Sequence, residues 1–169
     1  MRNTAIEWTD ATWNPSTGCT KISPGCDNCY SERLSLRLNK MGLRKYRNGF
    51  KFTLHPGELQ VPLRWRKPQK IFVNSMSDLF HEDMPFEFLK SIFDVMVDAN
   101  WHIYQILTKR PQRISRFISD YGRSIPENIW IGVSVENSDW KHRIDTLRGI
   151  STKIRFVSFE PLLGSIGKV

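Results

Sequence analysis

Four short runs of β-branched and aromatic residues recur along the chain: Ile71-Phe72-Val73, Ile103-Tyr104-Gln105-Ile106-Leu107, Ile129-Trp130-Ile131-Gly132-Val133 and Ile154-Arg155-Phe156-Val157. They are mostly continuous rather than alternating, which is how a strand reads when both of its faces are buried. Segments with helical spacing separate them. Leu89, Ile92, Phe93 and Met96 follow Pro85; Ile114, Phe117, Ile118 and Tyr121 follow Pro111; Trp140, Ile144 and Leu147 follow the capping residues Asn137 and Ser138 and stop at Gly149. Strand and helix in alternation require crossover connections, and crossovers make neighbouring strands parallel. Ala11-Thr12-Trp13 and Phe52-Thr53-Leu54 bring the strand count to six, and Tyr30, Leu34, Leu38 and Met41 form a fourth helical stripe stopped by Gly42. The pattern predicts one α/β domain over residues 1–169. Its form is a partial TIM-like (β/α)6 barrel with parallel strands, with an open doubly wound sheet as the other architecture that fits. Neither a phosphate-loop lysine motif nor GxGxxG occurs, which counts against a nucleotide-binding doubly wound fold. The last strand is followed only by EPLLGSIGKV, so the unit reads as truncated at its C-terminus.

In parallel β/α folds the chemistry gathers beyond the carboxyl ends of the strands. Each run here ends in polar residues: Asn74, Ser75, Ser77 and Asp78; Thr108, Lys109 and Arg110; Ser134, Glu136 and Asn137; Ser158 and Glu160. Caps and turns use Ser, Asn and Asp for their own hydrogen bonding, so Asp78, Asn137 and Ser138 read equally well as local structure. Lys109, Arg110, Glu136 and Glu160 have no such role and read as one polar mouth.

All three cysteines fall in TGCTKISPGCDNCY, residues 17–30. An odd number argues against a closed disulfide framework. A closed structural zinc site asks for four ligands, and His55, His81, His102 and His142 all lie far away in the sequence; His102 abuts an apolar run and reads as a packed core residue. An electron-transfer 4Fe–4S cluster asks for four thiolates. Three thiolates on such a cluster leave one iron open to an exogenous ligand. Gly18, Pro24 and Gly25 let this loop fold tightly, and its N–H groups can donate to cluster sulfurs. Three buried thiols acting as small apolar fillers are the alternative to metal binding, but the cysteines sit among Gly, Pro, Ser, Asp and Asn. Two metal readings stay open, an iron–sulfur centre and a zinc site completed by a distant His55 or His81.

The formal charge is +8, clumped in residues 33–51 and 64–70. That suits a polyanionic partner such as nucleic acid. Tyr46 and Trp65 lie inside these stretches, either as stacking platforms for bases or as packed aromatics behind a basic exterior. No stretch approaches the length of a membrane span, and MRNTAIEWTD lacks the apolar core of a signal peptide. The expectation is a cytoplasmic protein in a reducing compartment, where clustered cysteines bind metal or do chemistry.

The cysteine triplet, with CxxC and an aromatic after its last member, ahead of repeated β/α units, resembles the radical S-adenosylmethionine superfamily. More closely, IEWTDATWNPSTGCTKISPGCDNCY resembles the opening of the bacteriophage gene-product-37/gene-product-68 (three-Cys-motif) family, and FVNSMSDLFHEDMP, LTKRPQR, WIGVSVEN and RFVSFEPLLG resemble its later blocks. The likeness spans essentially the whole chain. The superfamily's commonest spacing puts three residues between the first two cysteines, and here there are six.

The resemblance implies that Cys19, Cys26 and Cys29 each ligate one iron of a 4Fe–4S cluster, with the amino and carboxylate groups of S-adenosyl-L-methionine on the fourth. It implies that Gly57-Glu58 stands for part of a Gly-Gly-Glu holding the methionine amino group. It puts Ser134 and Glu136 near the ribose or methionine, and lets Lys109 and Arg110 neutralise the carboxylate or a substrate phosphate. The implied activity is reductive cleavage of S-adenosylmethionine to modify a substrate, for which nucleic acid is the class the charge suggests, with a separately encoded partner protein also implied. The rival readings are a zinc-binding nucleic-acid module without catalysis and an inactive scaffold of the same fold.

Overall fold

The computed structural model describes residues 4–169. Its elements run β1 (Ala11–Trp13), β2 (Ser16–Thr17), α1 (Tyr30–Lys40), β3 (Thr53–Leu54), β4 (Lys70–Val73), α2 (Phe86–Asp98), β5 (Ile103–Thr108), α3 (Gln112–Tyr121), β6 (Ile129–Ser134), α4 (His142–Arg148) and β7 (Ile154–Ser158). Five strands form one parallel sheet in the order β1-β4-β5-β6-β7, so each joins the edge left by its predecessor in that sheet. Register pairs Ala11 with Ile71, Ile71 with Tyr104, Ile106 with Ile131 and Val133 with Val157. Among the described residues the sheet does not close, and no helix is long and apolar enough to cross a membrane.

The predicted sixth strand, Phe52-Thr53-Leu54, is not in this sheet. Thr53 and Leu54 pair antiparallel with Thr17 and Ser16 in a two-residue ribbon, and Pro56 then opens a 3-10 turn. The extended stretch is too short, and too soon followed by a proline that cannot donate to a ladder, to serve as an inner strand. The last predicted strand is also less buried than a two-sided reading expects. β7 is the sheet's edge, and Arg155 on it is exposed.

Proline marks the starts of α2 and α3, as the sequence predicts, with Pro85 and Pro111 immediately before them. Leu89, Ile92, Phe93 and Met96 all face the core, as do Ile114, Phe117 and Tyr121. Phe93 and Phe117 meet at a ring separation of 4.6 Å, and Tyr121 lies 5.7 Å from Phe93. Burying one such ring is worth about 1.5–3 kcal/mol. Ile71, Tyr104, Ile106, Ile129 and Ile131 form the fully buried sheet layer beneath them. On β6 a Cβ at Gly132 would fall 2.5 Å from the Phe156 ring, so the ring of the neighbouring strand occupies the space a side chain would need. The segment expected as one helix from Ser138 splits into a 3-10 turn, Ser138–Trp140, and the short α4. Asn137 caps the turn by accepting from the Asp139 N–H at 3.0 Å.

The stripe Tyr30, Leu34, Leu38 and Met41 does not face the core. Tyr30 is 50% exposed and Met41 62%, while Ser31 and Ser35 are the buried residues of α1. The protein side of this helix meets polar strand ends: the Ser31 hydroxyl donates to the Ser75 carbonyl at 2.9 Å. Small polar residues permit that close approach, and the apolar stripe is left outside.

Candidate functional site

The first cysteine stands two residues beyond the ribbon, and its loop is stitched to the exit of β4. Asn74 takes a positive φ of 61° there, and its amide donates to the Ser16 hydroxyl at 2.9 Å. Asn14 accepts from the Met76 N–H at 3.0 Å and the Ser75 hydroxyl at 3.2 Å. Gly18 donates from its N–H to the Met76 carbonyl at 2.9 Å, and its own carbonyl accepts from the Ser77 hydroxyl at 2.7 Å. At Gly18 φ is 82°, and a side chain would collide with the Lys51 carbonyl, so glycine is required for both conformation and space. The Cys19 N–H donates to the Phe50 carbonyl at 3.2 Å. Cys26 closes a 3-10 turn begun by Pro24, and Cys29 sits immediately before α1.

All three half-buried thiols line one cavity of about 160 Å³, with Tyr30, Phe50, Phe72, Asp78, Lys109, Arg110 and Ser134 among its walls. Its polar walls come from the exits of β4, β5 and β6, the carboxyl end of the sheet where the sequence placed a mouth. A second cleft of about 480 Å³ adjoins it. The two share Gly25, Cys29, Tyr30, Phe72, Leu107, Lys109 and Ser134, and the second adds Ile6, Trp8, Asn28 and Glu160. Tyr30 donates its hydroxyl to the Ser75 carbonyl at 2.5 Å, which fixes the ring between the two spaces.

Two buried charge clusters support the cavity. In the first, Asp78 accepts from the Thr108 hydroxyl at 2.6 Å, the Lys109 N–H at 3.2 Å and Arg110 at 3.0 Å. Arg110 also donates to Glu82 at 3.0 Å, to the Thr20 hydroxyl at 2.7 Å and towards the Cys19 sulfur at 3.6 Å. Burial pushes the Cys19 thiol up to about 11, with Asp78 adding to the effect and Arg110 opposing it. Cys19 is therefore a neutral thiol at pH 7. Burial also works against the Arg110 charge, but Asp78 beside it keeps the guanidinium protonated. The Glu82 carboxyl is held down to about 2, chiefly by the hydrogen bond from Thr20.

In the second cluster the fully buried Glu136 accepts from Ser23 at 2.6 Å and from Arg143 at 2.8 Å, with the Lys109 ammonium 3.6 Å away. Arg143 is 1% exposed, donates also to the Ser134 carbonyl at 2.8 Å, and stacks on Trp140 at 4.3 Å. Burial lowers its pKa and Glu136 opposes that. Ser23 stands in the cysteine loop 3.8 Å from the Cys26 sulfur, so Glu136 reaches the thiols through one hydroxyl.

The structure thus brings together Cys19, Cys26, Cys29, Lys109, Arg110 and Ser134, with Glu136 directly behind them. It does not bring Gly57 and Glu58 there. They lie on the 3-10 turn Pro56–Glu58, where Glu58 pairs with Lys45 at 3.3 Å, beside a separate cavity. The histidines are otherwise engaged. His55 bonds Thr17 at 2.8 Å, His81 bonds Thr20 at 3.1 Å and stacks on Phe52, and His102 is packed beside the Pro62 carbonyl. Tyr46 is buried and Trp65 packs half-buried against the core, edge-on to His102, so neither is a free stacking platform. Ser23 and Arg143 escaped the sequence reading. The i,i+3 spacing of Trp140 and Arg143 was the one signal for the last of them.

The donor chemistry fits an iron–sulfur ligand set, with three thiols around one space and a cation beside the first. Among the described residues no three His, Cys, Asp or Glu side chains converge as the ligands of a single metal ion. Fold and site together define a parallel α/β protein with a three-thiol cavity at the carboxyl end of its sheet. A family model described as "Protein of unknown function (DUF5131)" matches residues 3–169, and the chain belongs to that family. No curated protein and no solved structure matches it.

Proposed function

We propose that Cys19, Cys26 and Cys29 hold a 4Fe–4S cluster, that S-adenosylmethionine binds beside it, and that the five-stranded sheet is an arc of a β/α barrel. The observation carrying this reading is that three thiols from one loop line a single cavity at the carboxyl end of a parallel sheet. The strand order supports the barrel. It advances in one direction, as in β/α barrels, and shows none of the reversal that makes the crevice of a doubly wound sheet.

Bound there, the cluster would supply the electron for reductive cleavage of the sulfonium. The chain's own residues do the rest. Ligation needs thiolates, and Cys19 starts as a thiol, so loading releases its proton while Arg110, 3.6 Å away, faces the resulting negative sulfur. Glu136 fixes the turn carrying Cys26 through Ser23. The adjoining cleft offers apolar walls from Ile6, Trp8 and Phe72 and polar groups from Asn28, Ser134, Lys109 and Glu160. That mixture suits a ligand with one aromatic ring system and several polar groups. A nucleic acid remains the substrate class proposed from the charge.

Anaerobic reconstitution with iron and sulfide tests this reading. About four irons per chain, a brown spectrum, and release of 5′-deoxyadenosine and methionine on reduction are expected. Cys26→Ala or Cys29→Ala should lose iron and cleavage together. A colourless protein with one zinc per chain, or a Cys26→Ala variant that still cleaves the cofactor normally, would overturn it.

A further inference from the structure

Positive charge is concentrated in the segment that carries the thiols. Residues 17–51 hold eight Lys and Arg against two acidic residues, most of the whole-chain excess of +8. This segment carries the thiols and wraps their cavity. It contains Phe50 of the cavity wall, whose carbonyl accepts from Cys19, and α1, which starts next to Cys29.

The cations form a continuous arc. Arg33 and Arg37 are exposed one turn apart on α1, and Lys40 follows on the next turn. Asn39 donates to the Tyr46 carbonyl at 2.7 Å, docking the turn of Arg44 and Lys45 onto the end of α1. Arg44, Lys45 and Arg47 then line a cavity of about 550 Å³ with Thr53, His55 and Glu58, the last paired with Lys45. Among the described residues Lys21 pairs with Glu32 and Lys45 with Glu58, while Arg33, Arg37, Lys40, Arg44, Arg47 and Lys51 make no ion pair. Like charges at i,i+4 weaken a helix, and unbalanced cations repel one another. A surface that keeps so many on the segment carrying the thiols is built to meet a polyanion.

We propose that this arc binds the phosphate backbone of a single-stranded nucleic acid and leads one of its nucleotides to the thiol cavity. Arginine's planar fork can donate two parallel hydrogen bonds to one phosphate, and four of the six unpaired cations are arginines. Tyr30, half exposed at the cavity rim, and Trp8, 36% exposed in the adjoining cleft, present flat faces on which a base can stack. An acidic peptide has no use for those faces. The arc also continues from the helix into a concave cavity, which a flat anionic membrane cannot follow. A base must leave its stack to enter a recessed site, and that costs least on a single strand. The second half of the proposal rests on placing the reaction at the thiol cavity; the binding itself does not.

The test is fluorescence anisotropy on the whole chain with labelled single strands of DNA and RNA of about 20 nucleotides. A duplex, poly-glutamate and phosphatidylserine vesicles serve as competitors. Single strands should bind, with log affinity falling against log salt. Arg33→Glu with Arg37→Glu should lower the slope by roughly 1.4 and weaken binding about tenfold or more near 50 mM salt. Arg44→Glu with Arg47→Glu should act likewise, and the corresponding glutamine pairs should have smaller effects in the same direction. Arg116→Glu, at an exposed cation on α3, should leave binding unchanged. Circular dichroism checks that each variant is folded. No binding at low salt, equal loss with Arg116→Glu, or tighter capture of duplex, poly-glutamate or vesicles would each overturn the proposal. Iron content is read separately: a chain that binds single strands but takes up no iron sinks the cluster reading and leaves this one standing, and the converse result does the opposite.

Discussion

Replacing Glu136 by glutamine keeps the side chain's shape and removes its charge. Glu136 is fully buried and Arg143 is 1% exposed, and their contact is 2.8 Å long. Breaking a buried ion pair by removing one partner costs about 3–5 kcal/mol, because the remaining charge is stranded away from water. The two partners are not equivalent. Arg143 has Glu136 as its carboxylate, whereas Glu136 has Lys109 at 3.6 Å as a second cation and Ser23 as a further donor. Glu136→Gln should therefore cost about 3 kcal/mol, near the lower end of that range because the amide still accepts from Ser23. Arg143→Met should cost less, because Lys109 stays to balance the carboxylate. The double variant should cost clearly less than the sum of the two, with a coupling of about 1 kcal/mol or more. Urea unfolding followed by circular dichroism reads these differences. With a slope of about 2–3 kcal/mol/M, Glu136→Gln moves the midpoint down by about 1 M. A single variant within about 0.5 kcal/mol of the parent, or strictly additive costs, would show that the pair does not behave as a buried couple.

Gly18→Ala should fail to fold, or should lose several kcal/mol in the same unfolding assay, because φ is 82° and the new methyl meets the Lys51 carbonyl; an alanine variant of parental stability would show that the loop has another conformation. Glu82 should make the protein sensitive to acid. Its carboxyl sits at about 2 in the fold against 4.5 ordinarily, so its contribution is present above about pH 4.5 and lost as pH falls towards about 2. The side chain is 53% exposed, so solvent screening keeps the effect small. The decline of the thermal midpoint over that window should be shallower in Glu82→Gln, and an identical pH profile would refute the assignment.

What could be read in the chain follows from what is local. α2 and α3 were legible because a proline opens each and one apolar face is buried against the sheet. The central strands were legible because helices cover them. α1 was misread for the same reason in reverse. The rule that an apolar stripe faces the core fails where a helix crosses polar strand ends, so Ser31 and Ser35 go inside and Leu34 and Met41 stay out. Phe52-Thr53-Leu54 has strand composition, but its partner is Ser16–Thr17, and pairing over that distance leaves no periodic trace.

The site divides along the same line. The thiols are neighbours in sequence, so their spacing announces them. The groups that hold them are not. Ser23 meets Glu136 across 113 residues, and Cys19 meets Arg110 across 91. A methyl at Gly25 would fall 2.5 Å from the Glu136 side chain, so the turn carrying Cys26 is pressed directly onto the exit of β6. The loop's shape therefore belongs to the whole sheet rather than to its own fourteen residues. This explains why Glu136 and Arg110, read from the sequence as groups facing a ligand, are both bonded to the loop, with Glu136 behind the cavity and Arg110 in its wall. A buried charge must first be satisfied within the protein, and here the polar chain of the cysteine loop is what satisfies it. Lys109 is the exception: its ammonium lies 3.6 Å from Glu136 while the residue lines both the thiol cavity and the adjoining cleft, which leaves it the strand-end cation best placed to meet an anionic ligand.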